Sequence, residues 1–291
     1  MTKIDPSEAG FERILVPLDV SCEARPALEL AASIAAALQS RLEGLFIEDH
    51  DVLAAVDLPF TRAVPMTGGG PQDIDRERLE RVFRQKAAAS EQLLAGIART
   101  RRIDWAFRVT RGHAETAIRS ATRQRDLVAM IRGSGTTVRH GEVGGAVRAA
   151  VRQNIRSILI TGRDTAVPAA GVTAVYGESA SSGAALRLAE RIARNTHARL
   201  TVLVSAKNEL DLRRLKSQAE TALTADGETR FELLVDKPLG TLSERLRRLR
   251  SGLIVASADA VGDGTDLLER LAAQIHSPLL LLGPAEPQPS R

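Results

Sequence analysis

Only one cysteine, Cys22, occurs in 291 residues. That excludes a disulfide framework within the chain and fits a reducing compartment. Aromatic residues are scarce as well, with one Trp, one Tyr and six Phe, so a core has to be built from Ala, Leu, Val and Ile. No apolar run approaches the roughly 18 residues needed to cross a bilayer. The opening residues MTKIDPSEAGFERI lack the apolar centre of a secretion signal. The expectation is a soluble, cytoplasmic chain with no membrane contact. Charge of a single sign is missing too: Lys+Arg number 40 against Asp+Glu 36, and a net charge of +4 is too small to imply a nucleic-acid partner. The five histidines, His50, His113, His140, His197 and His276, show no metal-ligand spacing, so no metal is expected. No G-x-S-x-G elbow, Walker loop or G-x-G-x-x-G after a first strand appears, so no catalytic base or nucleophile can be assigned and an enzyme is not expected.

What is present supports a packed protein: 44% of residues are hydrophobic and 26% charged. The length is large for one open sheet and suits two domains of about 140 residues. Shifting the chain by 158 residues lays ILVPLDVSCEARPALELAASIAAALQSRLEGLFI (14–47) without gaps over VTAVYGESASSGAALRLAERIARNTHARLTVLVS (172–205). Identical pairs include Ser21/Ser179, Ala27/Ala185, Leu28/Leu186, Ile34/Ile192, Arg41/Arg199 and Leu45/Leu203. Amphipathic helices of one composition match partly by chance, but the flanking strands and turns align as well, and that marks a true internal repeat.

Each half alternates strand and helix. In the first, ILVPL reads as a buried strand and Glu23 to Gln39 as a helix with Leu28, Ala31, Ala32, Ala35 and Leu38 at helical spacing. Strands at 42–47, 105–110, 127–131 and 157–161 alternate with helices at 76–100, 114–124 and 142–153. The second half repeats the alternation, with strands at 172–176, 200–205, 230–235, 253–257 and 279–282. Its helices lie at 182–196, 209–223, 240–250 and 265–275. The pattern predicts an α/β fold of two tandem, doubly wound, five-stranded parallel sheets. The domains are placed at 1–165 and 166–291. Ligands in such sheets bind beyond the carboxyl ends of the strands, where strand order reverses. Residues 49–78 have little counterpart in the second half; this insertion reads either as a lid or as a packed excursion.

VPLDVS (16–21), followed by a helix with an Ala-Leu-x-x-Ala pattern, and RGHAETAI (111–118), with a glycine after strand three and an isoleucine six residues on, resemble the universal stress protein family. The resemblance covers nearly the whole chain in two copies. It implies a doubly wound sheet like that of the adenine nucleotide alpha hydrolases and a stress-response or regulatory role. Family members pair through their fifth strands, so the resemblance implies that SILIT (157–161) and PLLLL (278–282) meet as a pseudo-dimer within the chain, and it leaves a homodimer open. It further implies that some members bind ATP and others do not. In the binders an Asp after strand one contacts adenine, and a glycine-rich loop after strand four cradles phosphate; converging backbone N–H groups and a helix N-terminus explain why glycines suit that task.

By this resemblance the first half offers an adenine-nucleotide site at Asp19 and RGSGTTVRHGEVGGAV (132–147). Gly135 and Gly145 fall at two of the family's glycine positions, with Gly133 beside them. Arg132 replaces the first glycine and Ala146 the following hydroxyl residue, so the motif is only half kept; Arg132 or Arg139 offers charge in place of a lost backbone contact. In the second half Gly177 stands where Asp19 stands, and SADAVGDGTD (257–266) places Asp259, Asp263 and Asp266 where a phosphate would sit, so no site is expected there. Other readings stay open. Asp19 can serve as a turn or N-cap carboxylate, the glycines can simply build a tight connection, and Cys22 can be a small residue at a helix start. A different class of function is an interaction protein that binds no nucleotide and uses 49–78 as its contact surface.

Overall fold

The structure, a computed structural model, describes residues 10–19, 25–56, 62–63, 72–73, 76–131, 157–161, 171–224, 228–235, 239–249, 251–261 and 274–283. Its first strands are β1 (Arg13–Leu18) and β2 (Arg41–Asp49), with helix α1 (Arg25–Leu38) between them. The chain continues through α2 (His50–Val56), the short strands β3 (Arg62–Ala63) and β4 (Gln72–Asp73), α3 (Arg76–Arg101), β5 (Trp105–Gly112), α4 (Ala114–Ala121), β6 (Asp126–Ile131) and β7 (Ser157–Thr161). The second half runs β8 (Val172–Tyr176), α5 (Ser182–Asn195), β9 (Leu200–Ala206), α6 (Glu209–Ala222), β10 (Thr229–Val235), α7 (Leu239–Leu249), β11 (Leu253–Ser257), α8 (Ala258–Val261) and β12 (Leu279–Leu282). The helices expected at 142–153 and 265–275 and the domain boundary at 165/166 lie outside the described residues, apart from 274–275 at the end of the second helix.

Strand order is β10-β9-β8-β11-β12-β7-β6-β1-β2-β5 in one ten-stranded sheet. Each half therefore has its first strand central, its second and third to one side and its fourth and fifth to the other. All pairs are parallel except β12 with β7, which run antiparallel with Leu279↔Ile160, Leu280↔Leu159, Leu281↔Ile158 and Leu282↔Ser157 opposed. Helices cover both faces, so the central strands are apolar throughout instead of alternating: every residue of β1, β7, β8, β11 and β12 is buried. On one face α1, α3, α5 and α6 pack in a core that spans both halves. On the other, α4 and α7 bury Ile118, Leu242 and Leu246.

The repeat is kept down to backbone detail. Gln39 and His197, exactly 158 positions apart, both adopt left-handed conformations, with φ of 57° and 53°. The next amide in each half closes the same bond, Ser40 N to Ala35 O (2.9 Å) and Ala198 N to Ala193 O (2.8 Å). This satisfies carbonyls that a helix end leaves orphaned. Arg102, at the end of α3, does the same, with φ of 54° and Ile103 N donating to Ala98 O. One contact between the halves has no mirror image. Arg191 Nη2 and Asn195 Nδ2 of α5 donate to Leu38 O (3.0 Å) and Ala37 O (2.6 Å) at the end of α1. The first-half residues at the equivalent positions are Ser33 and Ala37, which cannot return those bonds.

A buried ion network closes the amino end of the first half. Arg13 is 6% exposed and pairs with Asp126, 3% exposed, in two hydrogen bonds. It also donates to Glu43 Oε2 (2.7 Å) and Ala121 O (2.7 Å). Burial alone would lower the arginine's pKa; the bonds to Asp126 and Glu43 outweigh it and hold the guanidinium above its ordinary value. Helix α4 stops at Ala121, earlier than its apolar pattern suggests, because Thr122 turns to extended backbone and caps Ile118 O with both its N–H and its hydroxyl. In the 49–78 insertion, α2 is anchored by buried Leu53 and β3 pairs antiparallel with β4; the GGGP run lies outside the described residues.

Exposed non-glycine residues held at positive φ carry a strain of about 1 kcal/mol or more that glycine lacks. Gln39→Gly and His197→Gly are each expected to raise the urea midpoint, with unfolding free energy up by as much as about 1 kcal/mol after glycine's greater unfolded-state entropy is subtracted. A lowered midpoint in either variant would contradict the left-handed assignment.

Candidate functional site

In the first half the reversal of strand order falls between β1 and β6, which pair through Arg13↔Asp126, Ile14↔Leu127 and Leu15↔Val128. Asp19 follows β1 directly and is 6% exposed, so its carboxylate is set at the carboxyl edge of the sheet at the switch point. β6 ends at Ile131, the residue before Arg132. Of the residues that the sequence singles out, Asp19 is described, and Arg132, Gly133, Gly135, Gly145 and Ala146 lie outside the described residues, as does Cys22.

The equivalent place in the second half, between β8 and β11, is filled by the protein's own hydroxyls. Ser179 Oγ donates to Asp259 Oδ1 (2.9 Å) and lies 3.0 Å from Ser182 Oγ and 3.1 Å from Ser257 Oγ. Gly177 N donates to Ser182 Oγ (3.2 Å). A hydroxyl has one proton and two lone pairs, and this arrangement uses all three on Ser179. Gly177 thus replaces the first half's carboxylate, and Asp259 faces a serine.

A third group of polar side chains gathers at the carboxyl edge of β2 and β5. These strands are parallel neighbours with Asp49 opposite Gly112, so the residues that follow each of them meet. Asp49 Oδ1 accepts from Asp51 N (2.9 Å), and His113 Nδ1 lies 3.3 Å from Asp51 Oδ1. The His50 ring stands edge-on to the His113 ring with centroids 5.3 Å apart. Nearby, Arg111 bridges Glu48 (2.8 Å) and Glu80 (3.4 Å), and its bond to Glu48 holds its pKa above the ordinary value. Sequence spacing does not reveal this group, because Asp51 and His113 are far apart along the chain. Strand pairing is what joins them.

A cleft of about 640 Å³ opens at the opposite, amino edge of the sheet, lined by Arg41, Arg99, Arg102 and Trp105 among others. It lies at the end of the first half opposite to that half's switch point, since Arg41 and Trp105 begin their strands. Among the described residues no helix is long and apolar enough to cross a membrane.

No protein-family model matches the sequence, and no curated protein matches it. Solved structures do. A universal stress protein from Archaeoglobus fulgidus DSM 4304 superposes with a TM-score of 0.66 at 15% identity, over 96% of this chain and 98% of that one. This chain has the universal stress protein fold, in tandem. The cytoplasmic domain of a prokaryotic cation chloride cotransporter is also similar, with a TM-score of 0.55 at 13% identity over 94% of this chain and 96% of that one. Likeness at these identities shows the fold alone, and function has to be argued from the site.

Removing the hub of the second-half cluster leaves Ser182, Ser257 and Asp259 short of a partner each. Ser179→Ala is expected to lower unfolding stability in urea by about 1–3 kcal/mol. An unchanged midpoint would show that the hydroxyls are equally well served by water.

Proposed function

We propose that the chain is a universal stress protein acting as a cytoplasmic stress-response regulator, with one site for ATP or a related adenine nucleotide in its first half. The observation that carries this reading is the contrast between the two switch points. In the first, a nearly buried Asp19 stands beside the strand that leads into the glycine-rich stretch 132–147. In the second, glycine takes its place and serines and Asp259 fill the opening. Asp19 would accept from the exocyclic amine of adenine. Arg132, Gly133, Gly135, Gly145 and Ala146 would surround the phosphates, with arginine charge in place of a missing backbone contact. The second half acts as a pseudo-dimer partner through β12 and β7.

A second reading, an interaction protein without nucleotide, is favoured by the insertion: α2 is fixed by buried Leu53 while Val52 on the same helix is exposed. Calorimetry with ATP on the full chain separates the two. The nucleotide reading predicts close to one site per chain, weakened by Asp19→Ala by about 1.5–3 kcal/mol, or roughly ten- to hundredfold, because a hydrogen bond to a charged group is lost. It predicts tighter binding when Arg132→Gly and Ala146→Ser are combined. Two equivalent sites would refute the placement in the first half. No heat from either the natural chain or the double variant would leave the interaction reading standing.

A further inference from the structure

We propose that Asp49, Asp51 and His113 bind a divalent transition-metal ion, Zn²⁺ being the ion their chemistry fits. One ligand atom from each of the three lies within 4.8 Å of the others. This inference does not depend on the nucleotide reading, since the group belongs to β2 and β5 and uses neither Asp19 nor the 132–147 stretch.

Asp49 has a capping duty, its Oδ1 accepting from Asp51 N (2.9 Å) at the start of α2, whereas His113 has none. Gly112, opposite Asp49, has a φ of 152°, outside the range side-chain-bearing residues favour, and there the chain leaves β5 and enters α4. His113 then occupies the N-cap of α4, a place where Ser, Thr, Asp or Asn would supply an oxygen to the first free amides. It makes no side-chain cap bond. Its Nδ1 is directed instead to Asp51 at 3.3 Å. That separation is about the edge of a tetrahedron whose metal–ligand bonds are roughly 2.0–2.1 Å long. The pair can therefore straddle an ion with little movement, and Asp49 closes the third corner.

The donor set selects the class of ion. Imidazole nitrogen with carboxylate oxygen suits zinc and its neighbours, whereas magnesium and calcium favour oxygen alone. Two carboxylates neutralise the ion's charge and, without it, stand close together as like charges. Three protein donors leave room for water or a second imidazole. His113 and Asp51 are 60% and 41% exposed as side chains, so an ion has open access.

The test is calorimetric titration of ZnCl₂ into the full chain stripped with a chelator, alongside His113→Gln and Asp51→Asn. The expected result is one Zn²⁺ per chain, at least about tenfold weaker in each variant, since losing an inner ligand should cost no less than losing a second-shell partner. Zinc should raise the melting temperature of the natural chain alone, and Co²⁺ should give the visible absorption of a tetrahedral site. Nuclear magnetic resonance of the natural chain supplies a readout independent of variant folding, because zinc should shift the His113 ring signals and not those of His197 or His276. No zinc binding, binding equal in both variants, or ring shifts confined to other histidines would overturn the proposal.

Discussion

The antiparallel pairing of β7 with β12 is the contact on which the rest of the molecule depends. A five-stranded, doubly wound sheet ends at its fifth strand, and an apolar fifth strand with unpaired backbone groups invites association. Here SILIT and LLLL supply each other's missing neighbour. All nine residues are buried, and four opposed pairs carry the sheet from one half into the other. The edges that remain are β10 and β5, where most residues are partly or fully exposed and polar side chains intervene, as with Thr229 and Arg230 on β10. Packing of α1 on α5 adds a second layer to the join. The bonds from Arg191 and Asn195 to the last carbonyls of α1 make it specific to this order of halves.

Antiparallel fusion has a consequence for ligands. Strands within each half are parallel, so reversing direction at β7 and β12 sends the carboxyl ends of the two halves to opposite edges of the sheet. The two switch points therefore open away from each other. They are free to diverge, and their contents differ: the Asp19 carboxylate on one side, a closed hydroxyl cluster around Ser179 on the other. The Asp49, Asp51 and His113 group shares the edge of Asp19 but lies toward β5.

Most of the architecture was legible in the sequence because it rests on local periodicity. The runs ILVPL, SILIT, LIVAS and LLLL are strands, and helices 182–196 and 209–223 end within a residue of expectation. What escaped depends on partners distant in sequence. Arg13 reads as a charged residue ahead of a strand, yet Asp126 and Glu43 make it the strand's buried first residue. The early end of α4 depends on Thr122, whose role is geometric. The α2 helix and the β3–β4 ladder within the insertion carry no repeat to reveal them. At the candidate site Asp19 was legible from its place after β1, whereas the Asp49, Asp51 and His113 group exists only because β2 and β5 lie side by side. A histidine at an N-cap gives no sign in sequence of what it faces.

The central claim is that each half completes the other through its fifth strand. Sedimentation of residues 1–165 expressed alone tests it most directly. The pairing predicts a dimer or larger species, with an uncovered β7 seeking an antiparallel partner. A soluble monomer of that fragment, unfolding cooperatively at the stability of the full chain, would contradict it.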